Sequence, residues 1–199
     1  LHPNPGHPVV GYRVEAGTFL IGAAMAGGPV TVTGFDPAHL ELPLAKMAQA
    51  GCHIEAHADG VTIGCTGRPQ PVDVQTLPFP GFPTDLQAQW MAFMATAQGG
   101  SIITENVFEN RFMLADELAR MGADVRIEGH HALVKGVAQL SGAPVRSPDL
   151  RAGAALVLAG LIADGETQIG DIFHIQRGYE RFVEKLSALG ADIRLAGTP

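Results

Sequence analysis

The chain has 199 residues and a formal net charge of -7 at pH 7, with 46% hydrophobic and only 17% charged residues. This length is enough for one substantial hydrophobic core, so one domain is the default expectation. The negative charge argues against a nucleic acid as the main partner, and no uncharged apolar run reaches the roughly 18 residues that a membrane span needs.

The N-terminal residues indicate how the chain begins. Residues 1–12 contain three prolines and two glycines, which predicts a linker or an incoming strand. The sequence starts at Leu1 and shows no signal-peptide pattern, so we expect a fragment of a longer cytoplasmic protein. Cys52 and Cys65 are the two cysteines, and we expect free thiols in a reducing cytosol.

A threefold internal repeat organises the remaining residues, 13–199. Each copy has an apolar helix, a short strand, a second helix that ends at a glycine, and an alternating strand. The closing glycines are Gly51, Gly122 and Gly190, which lie 71 and 68 residues apart. A period of this length indicates one supersecondary unit repeated three times, with approximate limits 13–75, 76–140 and 141–199.

The first helix of each copy is apolar nearly all round. These helices are predicted at Ala16–Ala26, Ala88–Ala97 and Ala152–Ala163. A helix without a polar face belongs in the interior, and many alanines and glycines allow close approach of neighbouring helices. The second helices instead carry one apolar stripe, so we expect them to be half-buried.

The strands are expected to surround these helices. Core strands are predicted at Val30–Thr33, Ser101–Thr104 and Thr167–Gly170, outer strands at Val61–Gly64 and Ala132–Val134, and a further alternating strand follows each closing glycine, the third including Ile193 and Leu195. The pattern therefore predicts an α/β fold of three repeated βαβαββ-like units, with apolar helices inside and sheets outside.

Five charged residues stand near predicted helix starts in copies two and three. Asp85 and Asp149 precede the internal helices, and Arg151 follows Asp149, while Arg111 and Arg177 lie near the second helices. Guanidinium groups bind carboxylates and phosphates, and carboxylates move protons. Together these residues predict a site for a small polyanionic substrate.

Structural roles compete with that interpretation. An acid in the first helical turn serves as a helix cap, and Thr84 with Gln87 has the spacing of a capping box. Arg111 and Arg177 have local acidic neighbours in Glu109 and Glu180, so simple surface ion pairs are the alternative. No histidine, cysteine and carboxylate spacing indicates a metal site, and no Walker A sequence occurs.

Five segments carry a resemblance to a known family. They are EAGTFLIGAAM (15–25), FPTDLQAQ (82–89), ITENVFENRFM (103–113), PDLRAGAALVLAGLIADGET (148–167) and HIQRGYERFVEKLSALGADI (174–193). They closely resemble the UDP-N-acetylglucosamine enolpyruvyl transferases (MurA) of the enolpyruvyl transferase superfamily. The resemblance covers nearly all of this chain but only the C-terminal half of such an enzyme.

The resemblance implies two domains of three such units each, closing over a cleft. The implied activity transfers the enolpyruvyl group of phosphoenolpyruvate to the 3-hydroxyl of UDP-N-acetylglucosamine and releases phosphate. That is the first committed step of peptidoglycan synthesis, so the implied context is cell wall biogenesis, cell shape, cell cycle and cell division in the cytoplasm. No cofactor, nucleic acid or membrane partner is expected.

The same resemblance implies roles for individual residues. Asp85 resembles the carboxylate that holds the sugar hydroxyl and acts as candidate base, and Val107 the residue that contacts the sugar nucleotide through its backbone. Asp149 resembles the second acid/base group near phosphoenolpyruvate. Arg151 and Arg177 resemble the clamp for that anion, whereas Arg111 lines the same rim.

The resemblance also implies a missing part. The family's reactive cysteine and its lysine, asparagine and arginine that bind phosphoenolpyruvate have no counterpart here, so the fragment alone is expected to be inactive and to need the N-terminal domain. Two alternatives stay open. One is an enzyme like 3-phosphoshikimate 1-carboxyvinyltransferase, and the other is a non-catalytic repeat module that binds an anion.

Overall fold

The computed structural model describes residues 12–109 and 111–196. The linker predicted at residues 1–12 lies outside the described residues, apart from Tyr12. The elements in chain order are α1 (Arg13–Ala26), β1 (Val30–Thr33), α2 (Glu41–Gln49), β2 (Cys52–His57), β3 (Gly60–Cys65), β4 (Val74–Gln75), α3 (Gln87–Met94), β5 (Gly100–Thr104), α4 (Leu114–Arg120), β6 (Asp124–Glu128), β7 (His131–Lys135), β8 (Pro144–Arg146), α5 (Leu150–Ile162), β9 (Gln168–Gly170), α6 (Phe173–Gly178) and α7 (Phe182–Ala188). Short 3-10 turns at Pro37–Leu40 and Thr84–Leu86 precede α2 and α3.

The helices α1, α3 and α5 form the centre of the molecule. Every residue of α3 is buried, and Trp90 and Phe93 on this helix have no exposed surface. The three helices pack on one another. The close approach predicted from their small residues is present between α1 and α5, where a Cβ added to Gly22 would lie 2.8 Å from Leu158 Cδ2.

Three separate sheets surround these helices. Their strand orders are β1-β3-β2, β4-β5-β7-β6 and β8-β9. The β4–β5 and β8–β9 pairs are parallel, and the other pairs are antiparallel. Strand β7 buries Ala132 and Val134 and exposes Leu133, as expected for a sheet with one face on the core. The α/β arrangement with helices inside and sheets outside is therefore confirmed.

The closing glycines end the second helices as predicted. Gly51, Gly122 and Gly190 have φ angles of 96, 87 and 97 degrees, values that L side chains rarely adopt. The amide of Gly122 donates to the carbonyl of Ala119, and that of Gly190 donates to the carbonyl of Ser187. The period of the repeat is therefore the spacing between the glycines that end the second helices.

The prediction of a strand after Gly190 is wrong. Residues 191–196 form no strand, whereas β2 and β6 follow the other two glycines. β2 pairs with β3 and β6 pairs with β7. The described part of the chain offers no equivalent partner beside β9, and a strand without a ladder partner cannot satisfy its backbone groups in a sheet.

The prediction of free cysteines is also wrong, because Cys52 and Cys65 form a disulfide. They are directly opposite one another on the antiparallel strands β2 and β3, with a Cα–Cα distance of 4.3 Å. The sequence places these residues at a helix end and in a strand, and their spacing alone does not reveal the register that brings them together.

We expect reduction of this disulfide to lower the free energy of unfolding by about 3 kcal/mol, because the two cysteines are 13 residues apart and the bond restricts a loop of that size in the unfolded chain. Urea unfolding with and without a reductant measures the effect. A double Cys52→Ala, Cys65→Ala variant is the control, since its midpoint should not respond to the reductant. Equal midpoints for the native chain under both conditions would contradict the prediction.

In the part of the chain that the structure describes, no helix has both the length and the apolar character that a membrane span requires.

Candidate active site

The 3-10 turn before α3 presents Asp85 to two guanidinium groups. Nε of Arg151 lies 2.5 Å from Oδ1 of Asp85, and Nη1 of Arg111 lies 3.8 Å from the same oxygen. Arg111 precedes α4 and Arg151 lies in the first turn of α5. The structure therefore joins residues of the second and third units around one carboxylate.

The competing structural interpretation is only partly right. Asp85 lies in the first turn, but neither a side-chain cap nor the capping box of Thr84 with Gln87 forms. Pro83 occupies the N-cap of the 3-10 turn, and no side chain caps it. The hydroxyl of Thr84 instead donates to Oε2 of Glu105 at 2.8 Å and accepts from Nη1 of Arg111 at 2.5 Å. The partners of Thr84 and Asp85 thus come from distant parts of the sequence.

Asp149 does act as a helix cap. Its Oδ1 accepts hydrogen bonds from the backbone amides of Arg151 at 2.7 Å and Ala152 at 3.0 Å. These amides are unpaired donors at the start of α5, and a carboxylate also complements the positive end of the helix dipole. The cap fixes the first turn of α5 and so orients the backbone from which Arg151 reaches Asp85.

Arg111 occupies a half-buried position beside these groups. Its guanidinium carbon lies 4.2 Å from the centroid of the Phe108 ring, a cation–π distance. Burial lowers the pKa of Arg111 below its usual value, and the nearby charge of Arg151 lowers it further, whereas Asp85, Glu105 and Asp149 oppose the shift. Arg111 pairs with Asp85 and not with its sequence neighbour Glu109. The two arginines are therefore close enough to repel, and an added anion would relieve that repulsion.

Val107 lies in the loop that follows β5. This residue is 40% exposed, and its amide donates to Oε1 of Glu105 at 2.8 Å. Glu105 itself is buried and also binds Thr84, next to Asp85. The structure thus connects the loop of Val107 to the Asp85 cluster through one carboxylate.

Arg177 stays apart from this cluster. It is exposed in the last turn of α6, and no hydrogen bond or ion pair joins its side chain to Glu180 or to any other described residue. α6 packs against the start of α5, where a Cβ added to Gly178 would lie 2.9 Å from Leu150 Cδ1. The structure therefore places Arg177 on an element next to Arg151 without bringing the two side chains together.

A buried polar network underlies the site. The hydroxyl of Tyr179 lies 3.0 Å from Oγ1 of Thr18, and Nε2 of Gln89 donates to both hydroxyl oxygens at 3.2 and 2.9 Å. Each of these residues comes from a different unit of the repeat. The network therefore fixes the three units relative to one another, close in sequence to Asp85 and Arg177.

We expect Tyr179 to make the protein less stable at high pH. Burial raises the pKa of Tyr179 to about 12, which the hydrogen bonds to Thr18 and Gln89 only partly oppose. An unfolded tyrosine titrates near pH 10, so this contribution is complete below about pH 10 and is lost as the pH rises through about 12, amounting to about 2 to 3 kcal/mol. Urea unfolding across that range measures the loss.

One variant tests whether Tyr179 causes this loss. Tyr179→Phe should reduce the fall in stability, because it removes the buried phenol whose pKa is raised. Identical pH profiles for Tyr179→Phe and the native chain would contradict the assignment.

Sequence reasoning did not single out four of these residues: Thr18, Gln89, Glu105 and Tyr179. Each lies within a segment that carries the family resemblance. Glu105 had the clearest signal, since it is an acid directly after a core strand in a chain with few charges. The pairing of Thr18 with Tyr179, 161 residues apart, has no local signal.

The geometry of the cluster suits proton transfer beside an anion. Both ion pairs of Asp85 use Oδ1, and among the described residues nothing donates a hydrogen bond to Oδ2. The side chain of Asp85 is 30% exposed, so Oδ2 remains available to a hydroxyl group of a ligand. No group of three or more histidine, cysteine or carboxylate residues that could hold a metal ion occurs in the described ranges.

Comparison with known proteins gives one matching family model and several named relatives. Residues 2–186 match the family model described as EPSP synthase (3-phosphoshikimate 1-carboxyvinyltransferase). The chain is 53% identical over 191 residues to the UDP-N-acetylglucosamine 1-carboxyvinyltransferase of Corynebacterium jeikeium, covering 96% of this chain and 46% of that protein. It is 54% identical over 193 residues to the enzyme of the same name from Mycobacterium leprae, covering 97% of this chain and 46% of that protein.

Solved structures agree on the fold. The enolpyruvyl transferase NikO from Streptomyces tendae matches with a TM-score of 0.82 and 30% identity, covering 94% of this chain and 44% of that one. An EPSP synthase from Acinetobacter baumannii matches with a TM-score of 0.73 and 22% identity, covering 96% of this chain and 45% of that one, and this match supports the fold alone. The chain thus spans about half the length of the relatives it matches. It belongs to the EPSP synthase (3-phosphoshikimate 1-carboxyvinyltransferase) family.

Proposed function

We propose that the chain is the C-terminal half of a UDP-N-acetylglucosamine 1-carboxyvinyltransferase. The observation that carries the proposal is the Asp85 carboxylate held between Arg111 and Arg151. The curated relatives at 53% and 54% identity bear this activity as their name. The finer context that we propose is peptidoglycan synthesis, and hence cell wall biogenesis and cell division, in the cytoplasm.

In this proposal Asp85 acts on the sugar nucleotide. Its Oδ2 accepts the proton of the 3-hydroxyl of UDP-N-acetylglucosamine as the hydroxyl oxygen bonds to C2 of phosphoenolpyruvate. A positioned general base typically contributes about a hundredfold to ten-thousandfold in rate. We assign to Val107 a backbone contact with the same substrate, because its exposed loop is joined to Asp85 through Glu105 and Thr84.

The arginines act on phosphoenolpyruvate. When C2 gains the sugar oxygen, C3 gains a proton delivered by Asp149, which takes a proton back from C3 in the later elimination. The resulting tetrahedral adduct keeps its phosphate and carboxylate charges, and the proton held by Asp85 leaves with the released phosphate. Guanidinium groups held in place before the reaction stabilise such charge without reorganising, by about 3 kcal/mol for a well-placed donor. We assign this role to Arg151, with Arg111 lining the same rim and Arg177 completing the clamp from α6.

Asp149 is the proposed second proton carrier. Elimination requires loss of a proton from C3 as the bond between C2 and the phosphate oxygen breaks and phosphate leaves. Asp149 uses Oδ1 to cap α5, and among the described residues nothing donates to its Oδ2. Asp149 can therefore cap α5 through Oδ1 and exchange a proton through Oδ2, two residues before Arg151.

The second candidate is transfer of the same group to 3-phosphoshikimate. The description of the matching family model favours it. Against it, the curated relatives at 53% and 54% identity are both named UDP-N-acetylglucosamine 1-carboxyvinyltransferase. The first candidate therefore has the stronger support.

A hybrid enzyme tests the proposal. It joins the N-terminal portion of the Corynebacterium jeikeium relative, outside the matched region, to this chain. We expect phosphate release from phosphoenolpyruvate with UDP-N-acetylglucosamine, and none with 3-phosphoshikimate. The intact relative is the positive control, and this chain alone should give no turnover because it supplies only half of the proposed cleft.

Two outcomes would overturn the proposal. Phosphate release with 3-phosphoshikimate alone would support the second candidate. A hybrid that unfolds cooperatively on heating, yet releases no phosphate with either acceptor, would favour an anion-binding module without catalysis.

A further inference from the structure

Glu105 stands out as a buried charged residue without an assigned role. It is 1% exposed and lies directly after β5, at the start of the loop that carries Val107. Oε1 accepts hydrogen bonds from the hydroxyl of Thr76 and the amide of Val107, both at 2.8 Å, and from the amide of Phe108 at 3.1 Å. Burial of an ionisable side chain is costly unless its hydrogen bonds are satisfied, so a buried position with several partners calls for an explanation.

The second oxygen of Glu105 reaches the Asp85 cluster. Oε2 accepts a hydrogen bond from the hydroxyl of Thr84 at 2.8 Å, and the Thr84 oxygen accepts from Nη1 of Arg111. The two carboxylate oxygens thus serve two different elements. One holds the loop after β5, and the other holds the turn that bears Thr84 and Asp85.

We propose that Glu105 is a positioning residue that sets the loop of Val107 and the guanidinium of Arg111 in one fixed relation. The proposal rests on the proposed function, in which Val107 contacts the sugar nucleotide and Arg111 lines the anion site. Glu105 would act through these residues and would not touch either substrate.

The neighbouring loop geometry supports this role. The amide of Asn106 donates to the Thr76 hydroxyl oxygen at 2.9 Å, so three successive loop amides bind either Glu105 or its partner Thr76. Phe108, at the end of this run, provides the ring on which Arg111 stacks. Arg111 is therefore fixed twice by Glu105, once through Thr84 and once through Phe108.

Two substitutions separate the two branches of this network, which are the hydrogen bonds of Oε1 with the loop and the hydrogen bond of Oε2 with Thr84. In Glu105→Gln, the remaining carbonyl oxygen can still accept from Val107 and Phe108, but the amide nitrogen donates to Thr84 and cannot accept from it. The Thr84 hydroxyl proton then loses its acceptor, which disturbs the contact with Arg111. Glu105→Ala removes both branches. Glu128→Gln is the matched control, because Glu128 is an exposed acid at the end of β6.

Steady-state kinetics of the hybrid enzyme give the first readout. For Glu105→Gln we expect the KM for phosphoenolpyruvate to rise at least about tenfold, which corresponds to losing one hydrogen bond to a charged group. The KM for UDP-N-acetylglucosamine should change by less than about threefold. For Glu105→Ala both KM values should rise. A purely structural role would reduce the active fraction and hence kcat, and would leave both KM values unchanged.

Amide hydrogen exchange of the hybrid gives a readout that does not need turnover. Glu105→Ala should speed exchange at Val107 and Phe108 at least about tenfold, with Ala132 and Val134 in β7 unchanged, whereas Glu105→Gln should leave the two loop amides protected. Unaltered loop exchange in Glu105→Ala, or unchanged KM values in both variants of an active hybrid, would overturn the positioning role. A native hybrid without turnover but with this exchange pattern would count against the proposed function alone.

Discussion

Replacing Asp85 with alanine should lower the turnover of the hybrid enzyme by at least about a hundredfold. No described residue donates a hydrogen bond to Oδ2 of Asp85, whereas Oδ1 binds Arg151. Loss of a general base typically costs about two to four decades in rate. The KM for UDP-N-acetylglucosamine should also rise, because the carboxylate is proposed to hold the sugar hydroxyl. Phosphate release under saturating substrates measures the effect.

Two further variants make the Asp85 result specific. Asp85→Asn keeps the shape of the side chain and should lose turnover to a similar extent, since an amide is not a base at neutral pH. Asp116→Ala removes an exposed acid in α4 and should leave turnover unchanged. A decrease of less than about threefold for Asp85→Ala would remove Asp85 from the proposed mechanism.

Replacing Arg151 with alanine should lower kcat/KM for phosphoenolpyruvate by at least about a hundredfold. The physical reason is the loss of a fixed positive donor, which is worth about 3 kcal/mol to the developing charge. Arg151→Lys should recover only part of this loss, because an ammonium lacks the planar fork that binds carboxylate and phosphate. Initial rates at low phosphoenolpyruvate report kcat/KM directly.

The control for Arg151 is Arg126→Ala, which removes an exposed arginine of β6 and should leave kcat/KM unchanged. Removal of Arg151 also leaves Asp85 without its nearest guanidinium partner. A value for Arg151→Ala within about threefold of the native hybrid would exclude Arg151 from the anion site.

Periodicity was sufficient to predict the fold class. The apolar residues of α3 leave no polar face, and this pattern depends only on the local sequence. The glycines at helix ends were predictable for the same reason, because the end of a helix favours a residue with positive φ and Gly51 and Gly122 adopt it.

Features that depend on pairing between distant residues were not predictable in this way. The strand predicted after Gly190 is absent because residues 191–196 have no ladder partner among the described residues, although their alternating pattern resembles that of β6. The disulfide between Cys52 and Cys65 depends on the register of β2 and β3, which spacing alone does not fix.

The candidate site also contains one feature that the local sequence predicts and one that depends on distant residues. Asp149 caps α5 as its local sequence suggests, because a helix start imposes its requirement on the nearest residue. Asp85 also stands before a helix in the sequence. However, its ion-pair partners Arg111 and Arg151 lie 26 and 66 residues away, and these distant contacts hold its side chain in place. The roles given to these residues, and to Val107 and Arg177, remain proposals.

The most direct test of the account is the structure of the hybrid enzyme bound to UDP-N-acetylglucosamine and phosphoenolpyruvate. We expect the sugar 3-hydroxyl within about 3 Å of the Asp85 carboxylate, and a phosphate or carboxylate oxygen of phosphoenolpyruvate within about 3 Å of the Arg151 guanidinium. Substrates that bind away from Asp85 and Arg151, with the ion pair between these two residues unchanged, would contradict this expectation.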